Sequence, residues 1–426
     1  MKNDKSTINV AVLGYGTVGS AVCEVLLKNE NIIKARCGKA IKPVIALART
    51  PKPNALVPVS TNLDELLKRD DIDIFVELMG GVDVAFETVR KILAQNKPVI
   101  TANKAMLAYH RYELESLAGN NYLGYEASVA GGIPIIQILK DGLSANNILS
   151  IEAILNGTSN YILSSMSKNG TSFDIALKKA QELGYAEADP TFDIEGFDAA
   201  HKLLILSSLA YGLNNKPEDI LIEGISKISA EDIYFAKEFE YKIKLLGIAK
   251  VRDDFKVELR VHCAMINKNK MLAKVNGVMN AISIVGDMLG ESLYYGAGAG
   301  GKATASAVIS DLMDIAKNKF QNSMLGFKEK TAYRLASKDE IYTKYYLRLK
   351  VEDRVGVLSK ITQLMSEANI SVDSFLQKPK ANEAHSTLFF TTHHSFERQI
   401  QALLSELARQ DFVKEKPFMM RIEQWD

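Results

Sequence analysis

The chain has 426 residues, of which 47% are hydrophobic and 24% charged, and its formal net charge is +1. This length predicts two or three domains, and the composition is ordinary for a globular protein. The nearly neutral charge argues against nucleic acid or an anionic membrane as a partner.

Cysteine usage and the absence of long apolar runs predict a cytoplasmic protein. Cys23, Cys37 and Cys263 are widely spaced and form neither a disulfide framework nor a CxxC metal site. The first residues are polar, so no signal peptide is expected. No apolar run reaches the roughly 20 residues needed to span a bilayer.

A glycine motif lies between the first predicted strand, residues 8–13, and a helical pattern. Gly14, Gly16 and Gly19 form GxGxxG. After a strand and before a helix, this motif predicts a dinucleotide whose pyrophosphate lies at the helix N-terminus. The alternative is a tight turn with a purely structural role.

The second strand, predicted at residues 43–48, ends at Arg49. An NAD site usually has Asp or Glu at this strand end to hold the ribose hydroxyls. No acid stands at this strand end, whereas Arg49 can bind a 2′-phosphate. We therefore predict NADP(H) in preference to NAD(H), the alternative being that Arg49 is a solvated loop residue.

Strands and helices continue to alternate, which predicts a doubly wound parallel sheet. The further strands are predicted at residues 72–78, 97–101 and 122–124, and the helices at 84–95 and 105–118. Because the loops at the carboxyl ends of such strands hold the ligand, Thr101 and Lys104 are candidate site residues. Lys104 can meet substrate or nicotinamide, or it can be solvated.

Residues 125–136 combine Glu126 with a Gly-Gly-Ile-Pro turn. Such a turn can direct several carbonyl groups toward one cation, with the carboxylate completing the site. The other interpretation is a helix N-terminus with Pro134 in its first turn and glycines for close packing. The residues alone favour the second interpretation.

Residues 183–202 contain five carboxylates before a single cation, Lys202. The pattern from residue 195 onward is helical, so Asp198 and Lys202 share a face, and Asp193 is predicted to cap the helix. Carboxylates can bind an ammonium group, and a lysine among them can deliver a proton to an oxygen. The alternative is a solvated acidic turn with a weak surface ion pair.

A second, mixed sheet and another glycine-rich loop follow. The strands are predicted at residues 256–263, 271–275 and 281–285. The loop, residues 294–302, precedes a helix at 303–318 and forms either an anion-binding backbone nest or a hinge. The predicted cofactor-binding residues are Gly14, Gly16, Thr17, Val18, Gly19, Arg49, Thr101, Lys104 and Gly300.

The last part of the chain predicts a separate module. Residues 325–339 are polar and charged, as expected of a linker. Beyond them the elements follow the order βαββαβ, which is that of the ferredoxin-like split unit.

With these residues in view, the chain resembles homoserine dehydrogenases that carry a C-terminal ACT domain. The motifs that carry the resemblance are GYGTVG, TANKA, YEASVAGGIP, NGTSNYIL, LGYAEADPTFDIEGFDAAHK and GAGAGGKATASAV. The resemblance implies an α/β fold with a Rossmann-type domain (residues 1–130), a mixed α+β substrate and dimerisation domain (131–325) and an ACT domain (340–426). The helix at 303–318 would return to the first domain.

The resemblance also implies a reaction, the NAD(P)H-dependent interconversion of L-aspartate 4-semialdehyde and L-homoserine in threonine, methionine and isoleucine biosynthesis. By motif match, Lys202 would donate the proton and Glu187 would hold the substrate amino group. Asp193 and Asp198 would orient the substrate or Lys202. Lys104 would lie between substrate and nicotinamide.

A monovalent cation, an amino-acid effector and an oligomer are implied as well. Sodium or potassium would bind the Glu126 carboxylate. The backbone carbonyls completing this site would be those of Val129, Gly131 and Ile133. The ACT domain implies feedback by threonine, although Val355 replaces the usual proline of its DRPGVL motif, so the ligand is not fixed by the motif. A homodimer or homotetramer is implied, with the ACT sheet edge as a pairing surface.

Two alternatives compete with this interpretation. One is a different NADP-dependent dehydrogenase that acts on another amino acid or hydroxy acid, and it would lack the acid-rich segment before Lys202. The other is a non-catalytic sensor of dinucleotide and amino acid, which would be expected to lose Lys202 or Lys104. Both lysines are present.

Overall fold

The structure is a computed structural model that describes residues 6–252, 254–318, 323–378 and 385–424. The chain folds into two compact units that interleave in sequence. The first comprises the chain up to Gly157 with Phe197–Asp219 and Val278–Tyr333, and the second comprises Thr158–Gly196, Ile220–Gly277 and the chain from Arg334. Across the described ranges, no helix combines the length and the apolar character needed to cross a bilayer.

In chain order, the strands are β1 (Thr7–Leu13), β2 (Ala40–Leu47), β3 (Val59–Ser60), β4 (Ile74–Glu77), β5 (Val99–Thr101), β6 (Leu123–Gly124), β7 (Ile148–Ile154), β8 (Leu221–Ile222), β9 (Tyr241–Val251), β10 (Lys256–Asn267), β11 (Met279–Gly286), β12 (Gly290–Ala297), β13 (Arg334–Leu335), β14 (Tyr342–Glu352), β15 (Val372–Lys378), β16 (His385–Thr392), β17 (Ser395–Phe396) and β18 (Phe418–Glu423). The helices are α1 (Thr17–Lys28), α2 (Glu30–Cys37), α3 (Leu63–Leu67), α4 (Asp83–Leu93), α5 (Lys104–Ala118), α6 (Ile135–Gln137), α7 (Gly157–Asn169), α8 (Phe173–Glu182), α9 (Thr191–Ile194), α10 (Phe197–Tyr211), α11 (Ala230–Glu238), α12 (Gly301–Ala316), α13 (Val357–Glu367) and α14 (Glu397–Leu407).

The first unit contains a six-stranded parallel sheet in the order β3-β2-β1-β4-β5-β6. This is the order of a doubly wound dinucleotide-binding sheet, so the predicted fold class is confirmed. The central strands are mostly apolar because helices cover both faces. Helix α12 packs on α1, where Val308 and Leu312 join Val22 and Leu26 in one buried core.

The first unit also holds an antiparallel sheet of β7, β11 and β12. The sequence predicted a loop from residue 294, which is wrong for its first four residues because they continue β12. Tyr294 and Tyr295 pair with Ile282 and Ala281 of β11. Gly296 fits this strand because a Cβ there would lie 3.0 Å from the Ile133 side chain.

The second unit contains the sheet β9-β10-β18-β14-β16-β15. Strands β14, β15, β16 and β18 with helices α13 and α14 form the predicted βαββαβ unit. Strand β18 pairs in parallel with β10. The βαββαβ part of the chain, called the C-terminal unit below, therefore shares one sheet with a strand from the middle of the chain. The predicted linker is partly integrated as well, since Arg334–Leu335 pairs with β10.

The strand predicted at residues 271–275 is wrong. Leu272–Lys274 forms a single 3-10 turn instead. Leu272 and Ala273 are both buried, which a strand with alternating faces cannot achieve when one face is solvated.

Buried arginines tie β10 to the C-terminal unit. Arg421 on β18 lies 2.6 Å from Glu397 and 2.7 Å from Glu223. Arg260 on β10 pairs with Glu423, also on β18. Both guanidinium groups are almost fully buried, and each has two carboxylate partners, since Arg260 also lies 3.1 Å from Glu258. Loss of either arginine would therefore leave a buried carboxylate without its main counter-charge, at a cost of about 3–5 kcal/mol.

Helix α11 packs on the face of the C-terminal sheet that α13 and α14 leave uncovered, and Asp232 makes the main polar contacts there. This buried carboxylate caps the helix by accepting bonds from Ser229. It also accepts a 2.7 Å bond from the Tyr346 hydroxyl and forms a 3.1 Å ion pair with Arg348. The Phe235 ring lies 4.8 Å from the Tyr346 ring, so polar and aromatic contacts hold the helix on the sheet.

Lys244 on β9 is an unusually buried lysine of the second unit, with 2% exposure. Its ammonium donates to Asn160 Oδ1 at 3.1 Å and to the Val275 carbonyl. Burial, and to a smaller degree Lys242, lower the pKa of Lys244 to about 7. The folded state therefore binds this proton less tightly than the unfolded chain does.

We predict that Lys244→Met changes the pH dependence of stability. Between pH 7 and 10 the unfolded wild type keeps a proton on Lys244 that the folded form has lost, so folding of the wild type becomes more favourable as the pH rises. The melting temperature of the wild type relative to the variant should therefore increase from pH 7 to pH 10. A constant difference in differential scanning fluorimetry would contradict this prediction.

Candidate active site

Helix α10 carries the acid and the lysine that the sequence places four residues apart. The helix is buried along most of its length, so Asp198 and Lys202 are only 2% and 8% exposed. Lys202 Nζ lies 2.8 Å from Asp198 Oδ2, as the shared helix face predicts. Lys104 Nζ lies 2.6 Å from Asp198 Oδ1. These three residues form the lysine–aspartate cluster, and its burial argues against a solvated surface pair.

Two asparagines complete the surroundings of the cluster. Lys202 Nζ donates to the Leu155 carbonyl at 2.7 Å, and Asn280 Nδ2 donates to the same oxygen at 3.0 Å. Asn156 Nδ2 donates to Asp198 Oδ2 at 2.8 Å. From the sequence, Asn156 was included only as the first residue of the motif NGTSNYIL, and Asn280 was missed because it gave no local signal.

The charges of the cluster decide its protonation. Burial alone would raise the pKa of Asp198, but attraction to Lys202 and Lys104 outweighs burial and holds that pKa below its usual range. Neighbouring His201 is neutral near pH 7 because burial lowers its pKa to about 4. One carboxylate thus faces two lysines, an arrangement that favours an oxygen developing negative charge.

Lys104 occupies the more open side of the cluster. Its side chain is 36% exposed, compared with 10% for Lys202. It is the first residue of α5, and Asn103 caps that helix by accepting a 3.1 Å bond from the Met106 N–H. Strand β5 therefore delivers Lys104 at its carboxyl end, where the ligands of a doubly wound sheet bind.

The glycine motif forms an open cradle at the start of α1. Gly14 has φ +106°, and a Cβ there would lie 2.5 Å from the Leu78 carbonyl oxygen. A Cβ on Gly19 would lie 2.0 Å from the Gly14 oxygen, whereas Gly16 has no heavy atom within 4 Å of that position. Two glycines thus permit close packing and the third leaves room for a pyrophosphate, which Thr17 and Val18 at the helix N-terminus can meet.

The second glycine-rich loop lies beside this cradle. A Cβ on Gly301 would lie 3.0 Å from the Thr17 carbonyl oxygen, so α12 begins against the start of α1. Gly300 has φ +116° and open space around it. The starts of two helices thus face the same region, which suits an anionic cofactor.

Arg49 is exposed and can reach a cofactor, whereas Thr101 is buried. Arg49 follows β2, whose Leu47 carbonyl accepts the Gly14 and Tyr15 N–H groups at 3.0 Å. The end of β2 is therefore next to the glycine turn. Thr101 is fully buried, and its hydroxyl is engaged by Glu77 and by the Asn103 N–H.

Glu126 is buried, with an exposure of 1%. Its two carboxylate oxygens accept the Ile136 and Gln137 N–H groups at 2.9 Å, so it caps α6. Burial raises the pKa of Glu126 to about 7. Gly131 has φ +53° and allows close packing, since a Cβ there would lie 2.7 Å from the Gly298 oxygen. Among the described residues, no group of three His, Cys, Asp or Glu side chains could hold a metal ion.

Glu187 and Asp193 belong to the second unit. Glu187 is exposed, and its carbonyl accepts a 3.1 Å bond from Gln181. Asp193 lies within the short helix α9, and its carbonyl accepts a 2.9 Å bond from Ser159. The predicted capping of the following helix by Asp193 is wrong, because α10 begins at Phe197 and a separate helical turn holds Asp193.

The sequence matches three family descriptions in chain order. They are "Homoserine dehydrogenase, NAD binding domain" at residues 14–125, "Homoserine dehydrogenase" at 134–313 and "ACT domain" at 345–412. A homoserine dehydrogenase of Helicobacter pylori is 53% identical over 421 residues, covering 98% of this chain and 100% of that protein. The chain belongs to the homoserine dehydrogenase family.

Solved structures of the family agree. A crystal structure of a homoserine dehydrogenase from Thiobacillus denitrificans has a TM-score of 0.92 and 40% identity, covering 98% of both chains. A hyperthermophilic archaeal homoserine dehydrogenase in complex with NADPH has a TM-score of 0.63 and 28% identity, covering 74% of this chain and 99% of that one. The predicted function as a homoserine dehydrogenase, an oxidoreductase with an ACT domain, is confirmed, and neither alternative is favoured.

The open position at Gly16 gives a direct test of the cradle. In Gly16→Ala the protein has room for the methyl group, but the dinucleotide does not, so its affinity should fall by about 10- to 100-fold without loss of melting temperature. Fluorescence titration with NADPH and with NADH measures the affinity. Gly142→Ala, also in open space, is the matched control and should bind as the wild type does. Unchanged affinity in Gly16→Ala would contradict the assignment.

Proposed function

We propose that the lysine–aspartate cluster carries the interconversion of L-aspartate 4-semialdehyde and L-homoserine. The observation that supports this most is the buried Asp198 carboxylate with an ammonium group on each of its oxygens. Reduction of an aldehyde needs a hydride at carbon and a proton at oxygen. A bound NAD(P)H supplies the hydride, and the lysines are suited to the oxygen.

Lys202 is the proton donor in this proposal. Its bonds to Asp198 and to the Leu155 carbonyl fix the orientation of the ammonium group. As the aldehyde oxygen gains negative charge, one ammonium N–H transfers its proton to that oxygen and the hydroxyl forms. Lys104, on the more open side, stabilises the same charge and contacts both substrate and nicotinamide.

Glu187 and Asp193 hold the substrate in this proposal. The substrate carries an ammonium group, and carboxylates are its natural partners. Glu187 is exposed and available for such a contact. Asp193 orients the substrate or Lys202, as the family motif implies, and Asp198 does so within the cluster.

The cofactor is NADP(H) in preference to NAD(H). Two observations support this preference: β2 lacks an acid at its end, and the exposed Arg49 follows it next to the glycine turn. Gly300 and the Thr101–Lys104 segment would contribute from the second glycine loop and from the end of β5. The related archaeal structure contains NADPH.

A monovalent cation, sodium or potassium, is proposed at Glu126 with the carbonyls of Val129, Gly131 and Ile133. The carboxyl group is buried, and Asp311 accepts the Glu126 N–H, so two acidic side chains lie close together there. Positive φ angles at Ala130 and Gly131 turn the backbone sharply within this segment. The ion would hold the turn in place rather than take part in the reaction.

Threonine is the proposed effector of the ACT domain, and a homodimer or homotetramer is the proposed assembly. Strand β18 of the ACT sheet pairs with β10, so a shift of the ACT strands on effector binding would be passed to β10. One edge of the ACT sheet is occupied by β10. In the described part of the chain β15 pairs only with β16, so a second copy would pair there.

A cytoplasmic location is proposed as well. The buried cysteines form no disulfide, as expected in a reducing compartment.

The main test is Lys202→Met. We expect kcat with aspartate semialdehyde and NADPH to fall by about 100-fold or more, since a positioned proton donor contributes that much, while NADPH affinity is unchanged. Lys42→Met, which removes an exposed lysine of the same unit, is the control and should keep wild-type kcat. Equal activity of the two variants would remove Lys202 from the mechanism.

The cofactor preference is tested separately with Arg49→Ala. Loss of a charge-assisted bond to the 2′-phosphate should weaken NADPH binding by about 10- to 100-fold and leave NADH binding within twofold. Titration of both cofactors distinguishes the outcomes. Parallel losses for NADPH and NADH would show that Arg49 does not select the phosphate.

A further inference from the structure

Glu77 is a buried acid that the reaction does not use directly. It is the last residue of β4 and is 0% exposed. Its Oε1 accepts the Met79 N–H at 2.7 Å, and its Oε2 accepts the Thr101 hydroxyl at 2.6 Å. The carboxylate therefore links the ends of two neighbouring strands, β4 and β5.

The link continues from Thr101 to the start of α5. Thr101 Oγ1 accepts the Asn103 N–H at 2.9 Å, and Asn103 Oδ1 accepts the Met106 N–H at 3.1 Å. Asn103 Nδ2 donates to the Gly81 carbonyl at 2.7 Å. Each of these bonds constrains the backbone on either side of Asn103, whose next residue is Lys104.

Burying a carboxylate at this strand end has an energetic cost. Burial raises the pKa of Glu77, and bonds from Thr101 and Met79 only partly oppose the rise. An apolar residue in its place would avoid the desolvation of a carboxylate. A purely stabilising role therefore does not account well for an acid at this position.

We propose that Glu77 is a positioning residue that fixes Lys104 against Asp198. Glu77 fixes the Thr101 hydroxyl, Thr101 fixes the Asn103 backbone, and Asn103 caps the first turn of α5. That turn places the Lys104 ammonium 2.6 Å from Asp198 Oδ1. The inference rests on the proposed role of Lys104. A lysine displaced by about 1 Å would still carry its charge but would stabilise the reacting oxygen poorly.

The test is a double-mutant cycle of Glu77→Gln and Lys104→Met in the full chain. Glutamine keeps the acceptor for Met79, but its amide nitrogen only donates, so the Thr101 hydroxyl loses its acceptor and has to turn its hydrogen away from residue 77. We expect Glu77→Gln to lower kcat by about 10- to 100-fold, with NADPH affinity and substrate KM within twofold. In the Lys104→Met background, the same substitution should lower kcat no further.

Two additional variants separate positioning from stability. Thr101→Val removes the hydroxyl that joins Glu77 to the Asn103 N–H. It should reproduce the kcat loss even if Glu77→Gln folds poorly. Thr88→Val removes another buried hydroxyl of this unit, which donates to the Val84 carbonyl at 2.8 Å, and should leave kcat unchanged. Melting temperatures confirm that all variants are folded at the assay temperature.

The outcomes are distinguishable. Wild-type kcat in Lys104→Met would overturn the proposed role of this lysine and the inference with it. An impaired Lys104→Met together with a fully active Glu77→Gln, or losses that multiply in the double variant, would overturn the inference alone. If Glu77→Gln loses NADPH affinity while its kcat stays constant, Glu77 supports the cofactor loop, and the inference is overturned as well.

Discussion

Desolvation of a single carboxylate organises the first unit. Asp198 can remain ionised while buried only because two ammonium groups approach it, and those groups come from different helices. The start of α5 must therefore lie beside the start of α10. Arg111 holds the two helices together further along, by donating to Ser208 and to the Asn215 carbonyl, which follows α10. The strand ends, the helix caps and the cluster form one continuous set of restraints.

The sequence predicted those features that depend on residues close together in the chain. Glycine spacing after an apolar strand predicted the cradle, and the four-residue spacing of Asp198 and Lys202 predicted their contact, because neither depends on distant residues. The bond from Asn280 to the Leu155 carbonyl joins residues 125 positions apart, and no periodicity reports such a contact. The error at Leu272–Lys274 arose because apolar residues in a short turn resemble a strand until their burial is known.

Polar groups in the second unit specify which strands pair. An apolar β10 could pair with several edges, whereas Arg260 and Arg421 require acids at fixed positions on β18, α14 and the segment after β8. Buried ion pairs contribute little net stability, but a shifted register would leave charges unpaired. Together with Asp232 beneath the sheet, these groups make the C-terminal unit an integral part of its surroundings.

The pairing of β10 with β18 has a consequence during synthesis on the ribosome. Arg260 and Glu423 are 163 residues apart in sequence. At roughly 5–20 residues per second, β10 waits about 10–30 seconds for its parallel neighbour to be made. Throughout that interval part of its edge, and an arginine that lacks its Glu423 partner, remain open to solvent, to chaperones and to other nascent chains. The second unit can mature only after translation has passed β18, whereas the parallel sheet of the first unit draws its strands from the first third of the chain and can begin to assemble much earlier.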